Sequence, residues 1–165
     1  HLVFSTLHTL DATETINRII AVFPPHHQKQ IRIQLGQVLK AAISLRLLPR
    51  ADGSGRVPAA EVMIVTPYIR DCIENKEKTK YIREQIALGT SQYGMQTFDQ
   101  SLLGLVRREL ITVEEALRWA TNIDEFRLKL QGIFSASDEA AEQMASGVLG
   151  EAPQPPPPEI TRFSR

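Results

Sequence analysis

Two shortages exclude a good deal about this chain: it has almost no cysteine, and it has no long apolar run. Cys72 is the single cysteine among 165 residues. An intramolecular disulfide and a cysteine-built zinc site are therefore ruled out, and a reducing, cytoplasmic compartment is expected. Nowhere do the roughly 18 successive apolar residues of a membrane span occur, and no basic-then-apolar signal segment opens the sequence. Net charge is missing too, because 19 Lys and Arg balance 19 Asp and Glu. A neutral chain has no long-range attraction to nucleic acid or to an acidic membrane surface. HExxH, CxxC and carboxylate-rich metal loops are absent, so no metal site is expected. Ser5 has no G-x-S-x-G elbow around it and is not a nucleophile. Nor does any G-x-x-x-x-G-K-[ST] loop occur. D-G-S-G-R at Asp52 to Arg56 lacks both the lysine and the strand–helix setting that cradles phosphates.

What is present is ordinary for a globular domain: 42% hydrophobic and 23% charged residues in a length that can bury a core. The fold class expected is α/β, with few strands followed by a mainly helical bundle. His1 to Leu7 is an apolar run with β-branched and aromatic members, the pattern of a buried strand. Ala12, Ile16, Ile19, Ile20 and Phe23 lie on one face of a helix capped by Asp11 and stopped by Pro24 and Pro25. Ile31, Leu35, Val38, Leu39, Ala42 and Leu45 repeat that rhythm and predict a second helix of about four turns. Arg46 to Arg50 and Val57 to Val65 predict two strands about a glycine-rich turn. Thr66-Pro67 opens a helix reaching about Glu74, and another is expected from about Thr79 to Leu88, ended by Gly89. Thr97 with Gln100, and Thr112 with Glu115, are capping boxes. Asp124 is expected to cap a last helix bearing Phe126, Leu130 and Ile133. Beyond Ser135 the composition turns small and polar and then proline-rich, which predicts a flexible tail.

Four histidines are the first candidates for chemistry. His1 and His8 stand seven residues apart, on opposite faces of the expected strand, and so cannot readily share one ion. His26 and His27 are adjacent and suit the solvated start of a helix. His8 has the more informative position, where an apolar run ends and a helix begins. Ligands of open α/β sheets bind beyond the carboxyl ends of strands, and an imidazole there can donate to a phosphate oxygen beside the positive end of the helix dipole. The plainer alternative is a histidine that satisfies a buried strand end. The paired helices from Thr97 to Ala120 raise a helix-turn-helix. Their second member opens with Glu114 and Glu115, which would repel phosphates, and ordinary helical packing is the favoured reading.

Several separated stretches carry a resemblance. H-L-V-F-S-T-L-H-T (His1 to Thr9) looks like the histidine box of secretion ATPases. F-P-P-H-H-Q-K-Q-I-R-I-Q-L (Phe23 to Leu35), L-R-L-L-P-R (Leu45 to Arg50), Y-G-M-Q-T-F-D-Q-S-L (Tyr93 to Leu102) and I-T-V-E-E-A-L (Ile111 to Leu117) follow in order. Together they resemble the PilT-like family of type IV pilus retraction ATPases over His1 to about Ile133. PilB-like extension ATPases usually carry a cysteine cluster in this half, and only Cys72 is here.

The resemblance implies the C-terminal portion of a RecA-like motor domain, part of a hexameric homo-oligomeric ring that drives twitching motility. Residues 1–66 would belong to the ATPase core, 67–134 to a helical C-terminal subdomain, and 135–165 to the tail. It implies that His8 and His1 are the catalytic box histidines, with His8 sensing the γ-phosphate. It brings Arg46 in as a nucleotide-binding candidate, although Leu45 stands where relatives commonly have Gln. Tyr68 to Asn75 (Y-I-R-D-C-I-E-N) corresponds to a retraction-signature helix, A-I-R-N-L-I-R-E. Ile69, Arg70 and Ile73 agree, while Asp71, Cys72, Glu74 and Asn75 depart. ATP and Mg2+ are implied for the intact protein, whose phosphate loop and acidic boxes would precede His1, and none for this stretch alone. The implied partners are inner-membrane pilus assembly proteins and no nucleic acid, at a cytoplasmic site peripheral to that membrane.

Overall fold

The computed structural model describes residues 1–132. Ile133 and the tail from Ser135 onward lie outside them, so those expectations stand as they are.

Helix α1 (Ala12–Ala21) starts where the sequence places it. The Asp11 side chain accepts the Glu14 N–H, and Ala12, Ile16 and Ile20 bury the expected stripe. Helix α2 (Gln28–Val38) follows the proline pair but stops short of the expected four turns. Leu39 turns extended, and Ala42 and Leu45 belong to strand β1 (Ala41–Pro49). Their helical spacing is overridden by pairing: β1 runs antiparallel to β2 (Arg56–Ile64) in a nine-residue register from Ala41 opposite Ile64 to Pro49 opposite Arg56. A two-strand ladder satisfies main-chain groups that a longer helix would have bonded internally, so local periodicity decides nothing here. In the connecting turn the Arg50 N–H donates to the Gly55 carbonyl at 3.0 Å, and Gly53 and Gly55 take positive φ. Asp52 sits inside the turn, accepting from the Arg50 guanidinium at 2.7 Å and the Ser54 N–H at 2.9 Å. Those hydrogen bonds, Arg50 first, hold its carboxyl well below the usual carboxylate range.

Helix α3 (Pro67–Glu74) opens as Thr66-Pro67 predicts, with the Thr66 hydroxyl accepting from the Ile69 N–H. A 3-10 helix (Lys76–Tyr81) leads into α4 (Ile82–Leu88), where a single helix from Thr79 is expected from sequence. The short α5 (Thr90–Tyr93) has no counterpart in the sequence reading. Helix α6 (Phe98–Arg107) has the reciprocal Thr97–Gln100 capping box in full, and Thr112 caps α7 (Val113–Trp119) through the Glu115 N–H. Helix α8 (Ile123–Leu130) is capped by Asn122, not Asp124; Asn122 accepts the Glu125 N–H, and Asp124 lies in the first turn, where a carboxylate suits the dipole.

One expectation fails outright. His1 to Leu7 forms no strand: it pairs with nothing among the described residues, and Leu2, Val3 and Phe4 are 72%, 79% and 89% exposed. A strand exists by pairing, and an apolar run supplies only the propensity.

Two apolar clusters stabilise the whole. The first gathers Ile16, Ile20, Met63, Ile69, Ile73, Ile82 and Ile86 from α1, β2, α3 and α4. The second gathers Leu48, Phe98, Leu102, Leu105, Ile111 and Phe126 from β1, α6, α8 and the loop before α7. Helices α2 and α3 meet at Gly36, where a Cβ would stand 3.1 Å from Glu74 Cγ and 3.2 Å from Arg70 Cγ. Only glycine allows that approach without displacement.

Candidate functional site

The chain just after the apolar run is tied down from several directions, although the run itself is not. The His8 carbonyl accepts from Arg18 Nη1 at 2.7 Å, and the Thr9 and Thr15 hydroxyls share a hydrogen bond of 2.6 Å. The Leu10 N–H donates to Glu14 Oε2 at 2.7 Å. These come from α1 itself. Two more come from far along the chain: Arg46 Nη2 donates to the Leu10 carbonyl at 3.3 Å, and Glu61 Oε1 accepts the Ala12 N–H at 2.8 Å.

His8 is exposed, and α1 begins four residues later; the N–H groups of Leu10, Ala12 and Glu14 at that helix start are taken by the carboxylates of Glu14, Glu61 and Asp11. His1 is exposed as well. With no strand over His1 to Leu7, the two histidines do not stand on opposite faces of one. Among the described residues no group of His, Cys, Asp and Glu could hold a metal ion.

Arg46 turns inward. Its guanidinium carbon stands 4.3 Å from the centre of the Phe98 ring and 5.5 Å from that of Trp119. Stacking of this kind suits a planar cation and fixes its direction. One donor reaches Leu10 and both rings flank the guanidinium of this half-buried residue, while its buried Nε has no protein partner.

Glu61 is the residue that sequence reasoning missed. It is 4% exposed, and burial pushes its carboxyl above the ordinary glutamate value. The Ala12 N–H pulls the other way, Asp11 adds to the rise, and Arg83 and Arg46 offset it. The available signal is V-P-A-A-E-V-M-I at Val57 to Ile64, one acid in an otherwise uncharged strand. Nearby, Arg83 Nη2 pairs with Asp99 Oδ2 at 2.6 Å, and Asp99 Oδ1 accepts the Thr121 N–H at 2.9 Å. Leu10, Asp11, Arg46, Glu61, Arg83 and Trp119 border a cavity of about 300 Å3 at this point.

The signature helix divides cleanly into a packed side and a charged side. Ile69 and Ile73 are fully buried in the first cluster. Arg70 Nε donates to the Gly36 carbonyl at 3.1 Å, and from the other direction Arg32 Nη1 donates to the Ile73 carbonyl at 3.0 Å, so α2 and α3 are cross-tied. The departing residues form their own arrangement: Asp71 accepts from Lys78 Nζ at 2.6 Å and Asn75 Nδ2 at 2.7 Å. Cys72 is buried, which pushes its thiol up. In α7, Glu115 accepts from Trp119 Nε1 at 2.8 Å and from Arg118, in line with ordinary helical packing.

No protein-family model matches the chain. Individual proteins do. A twitching motility protein of Neisseria gonorrhoeae is 44% identical over 122 residues, 74% of this chain and 32% of that protein. The type IV pilus retraction ATPase PilT of Pseudomonas aeruginosa is 44% identical over 116 residues, 70% of this chain and 33% of its own length. Among solved structures, the pilus retraction motor PilT with bound ADP superposes with a TM-score of 0.64 at 40% identity, over 76% of this chain and 34% of that one. The chain thus spans about a third of the length of the relatives it matches, and over that third it belongs to the PilT-like secretion ATPases.

Proposed function

We propose that this chain is the C-terminal segment of a hexameric motor ATPase that powers type IV pilus retraction, and hence twitching motility. The observation that carries the reading is the similarity to PilT proteins over most of the chain, in sequence and in fold alike. A second observation supports it. Residues 8–12 are tethered and carry an exposed histidine, whose imidazole is able to donate to a phosphate oxygen. In this reading His8 donates a hydrogen bond to the γ-phosphate, and His1 stands further back in the same box. ATP with Mg2+ supplies the energy through a phosphate loop that this sequence does not contain. Ile69 and Ile73 seat the retraction-signature helix, and Arg70 ties it to α2. The ring works in the cytoplasm against the inner membrane, with inner-membrane pilus assembly proteins as partners.

The outer face of the hairpin fits the same reading. Ile43, Leu45 and Leu47 are 65%, 63% and 59% exposed, more apolar surface than a strand of an isolated unit usually shows water. The remainder of a motor core would cover it. An independent helical interaction module would also use such a face, and enzymology separates the two. The purified chain alone is expected to turn over no Mg-ATP. The longer protein that carries it downstream of a phosphate loop is expected to hydrolyse ATP and to lose at least tenfold in kcat on His8→Ala, since a transition-state hydrogen-bond donor is worth about 10²-fold or more. An unaffected His8→Ala enzyme, or turnover by the chain alone, would overturn the assignment.

A further inference from the structure

The inward faces of the two strands carry a polar layer for which the proposed nucleotide chemistry has no direct use. On β1 the inward residues run Ala42, Ser44, Arg46, Leu48, and on β2 they run Ala59, Glu61, Met63. Ala42 and Met63 belong to the first apolar cluster, Leu48 and Ala59 to the second. Between them lie Arg46 and the cross-strand pair Ser44 and Glu61, so the layer divides one core from the other. A buried carboxylate is expensive to keep there. An apolar side chain of like size would pack as well or better, so packing does not account for Glu61.

Its hydrogen bond suggests what does. Glu61 Oε1 receives a main-chain N–H, that of Ala12, from 49 positions away, and Ala12 is the first residue of α1. Arg46, held against Phe98 and Trp119, donates to the Leu10 carbonyl from 36 positions away. Among the described residues these two hydrogen bonds reach residues 8–12 from outside the α1 region, and both come from the polar layer. On its far side the Arg83–Asp99 pair and the Thr121 N–H complete the layer against α4 and the segment after α7.

We propose that Glu61, assisted by Arg46, is a positioning residue for the histidine box. It clamps the first N–H of α1 and so fixes the backbone four residues from His8. This rests on the motor-ATPase reading above. Neither side chain touches the nucleotide; both act through His8. Displacing a catalytic group by about 1 Å can cost up to about 10²-fold in rate, and loss of the acceptor that β2 supplies to this loop opens it to such a displacement.

The test uses the longer ATPase with three substitutions. Glu61→Met fills the layer with a flexible apolar chain of similar length and removes the acceptor, whereas Glu61→Gln keeps an acceptor for Ala12 and removes the charge. Glu61→Met is expected to lower kcat about tenfold or more, with Glu61→Gln restoring most of it. In a His8→Ala background Glu61→Met is expected to cost little further, because groups acting as a unit are not additive. Amide exchange at Ala12 in the 165-residue chain is expected to speed up in Glu61→Met and not in Glu61→Gln. Undiminished kcat in Glu61→Met, multiplicative losses with His8→Ala, or unchanged Ala12 exchange would each overturn the positioning role and leave the ATPase reading intact. An inert wild-type enzyme would instead overturn the ATPase reading, and the positioning role with it.

Discussion

Replacing Ile73 by alanine puts the signature helix to a direct test. Ile73 is fully buried in the first cluster with Ile69 beside it. Deleting its side chain beyond Cβ forfeits a transfer free energy of about 2.4 kcal/mol, at about 0.8 kcal/mol per carbon. The cavity term is not relieved by collapse, because α2 already approaches α3 closely enough to require Gly36. The total is therefore expected at about 3–4 kcal/mol, within the range for such deletions. A domain of this size is stable by about 5–15 kcal/mol, so the loss is a large fraction of it. With a urea slope of about 2 kcal/mol per M, the midpoint falls by about 1.5–2 M at unchanged slope. Arg70→Ala is the internal control. It removes a single guanidinium–carbonyl bond to Gly36 at the surface and is expected to cost about 0.5–1.5 kcal/mol. Urea titrations followed by circular dichroism measure both. If Ile73→Ala costs under about 1 kcal/mol, or no more than Arg70→Ala, the helix is not seated as described.

Three further outcomes follow from other parts of the fold. Thr97→Ala breaks the α6 capping box at a buried site by removing the hydroxyl that accepts the Gln100 N–H. It is expected to cost about 1 kcal/mol in the same urea assay, and a neutral result would contradict the cap's role. Asp52 is exposed and held ionised by Arg50 and Ser54, so its contribution to the turn is present at pH 7 and lost only as pH falls below the ordinary aspartate value of about 3.9. Carboxyl chemical shifts should show Asp52 titrating below the ordinary aspartate value, and titration at that value refutes the turn geometry. Glu61 has the opposite sign. Its folded carboxyl, facing Asp11, Arg46 and Arg83, binds its proton more tightly than the unfolded one does, so ionisation costs stability as pH rises from about 4.3 through the raised folded value. The melting temperature of Glu61→Gln relative to the parent chain is therefore expected to be more favourable at pH 7 than at pH 4. An equal difference at both would sink the reading of Glu61 as a buried acid whose carboxyl is raised by its surroundings.

Local chemistry was legible from sequence alone, and pairing was not. The caps at Asp11, Thr66, Thr97 and Thr112 depend on a side chain and an N–H two or three residues on, so the sequence contains everything needed. Ala42 and Leu45 went astray because an accidental helical spacing competed with a strand partner some twenty positions later, which no short window can weigh. His1 to Leu7 failed for the complementary reason. Its apolar, β-branched composition is a real strand propensity, but among the described residues it pairs with no strand. Asn122 displaced Asp124 as a cap by two residues, within the ordinary uncertainty of a helix end.

The candidate site divides along the same line. His8 stood out because its neighbours in sequence, an apolar run before and a capped helix after, have the pattern of a strand end, although no strand forms there. Glu61 could not stand out in the same way. Its meaning lies in a hydrogen bond spanning 49 positions and in the two apolar clusters on either side of it, neither of which leaves a local pattern. An isolated acid in an apolar strand is nevertheless a physical anomaly, since burial without a partner would cost more than most single contacts return. Such an acid should be taken to mark a distant backbone donor that needs it. Here that donor begins the helix after the histidine, which joins a feature invisible in sequence to the one most visible in it.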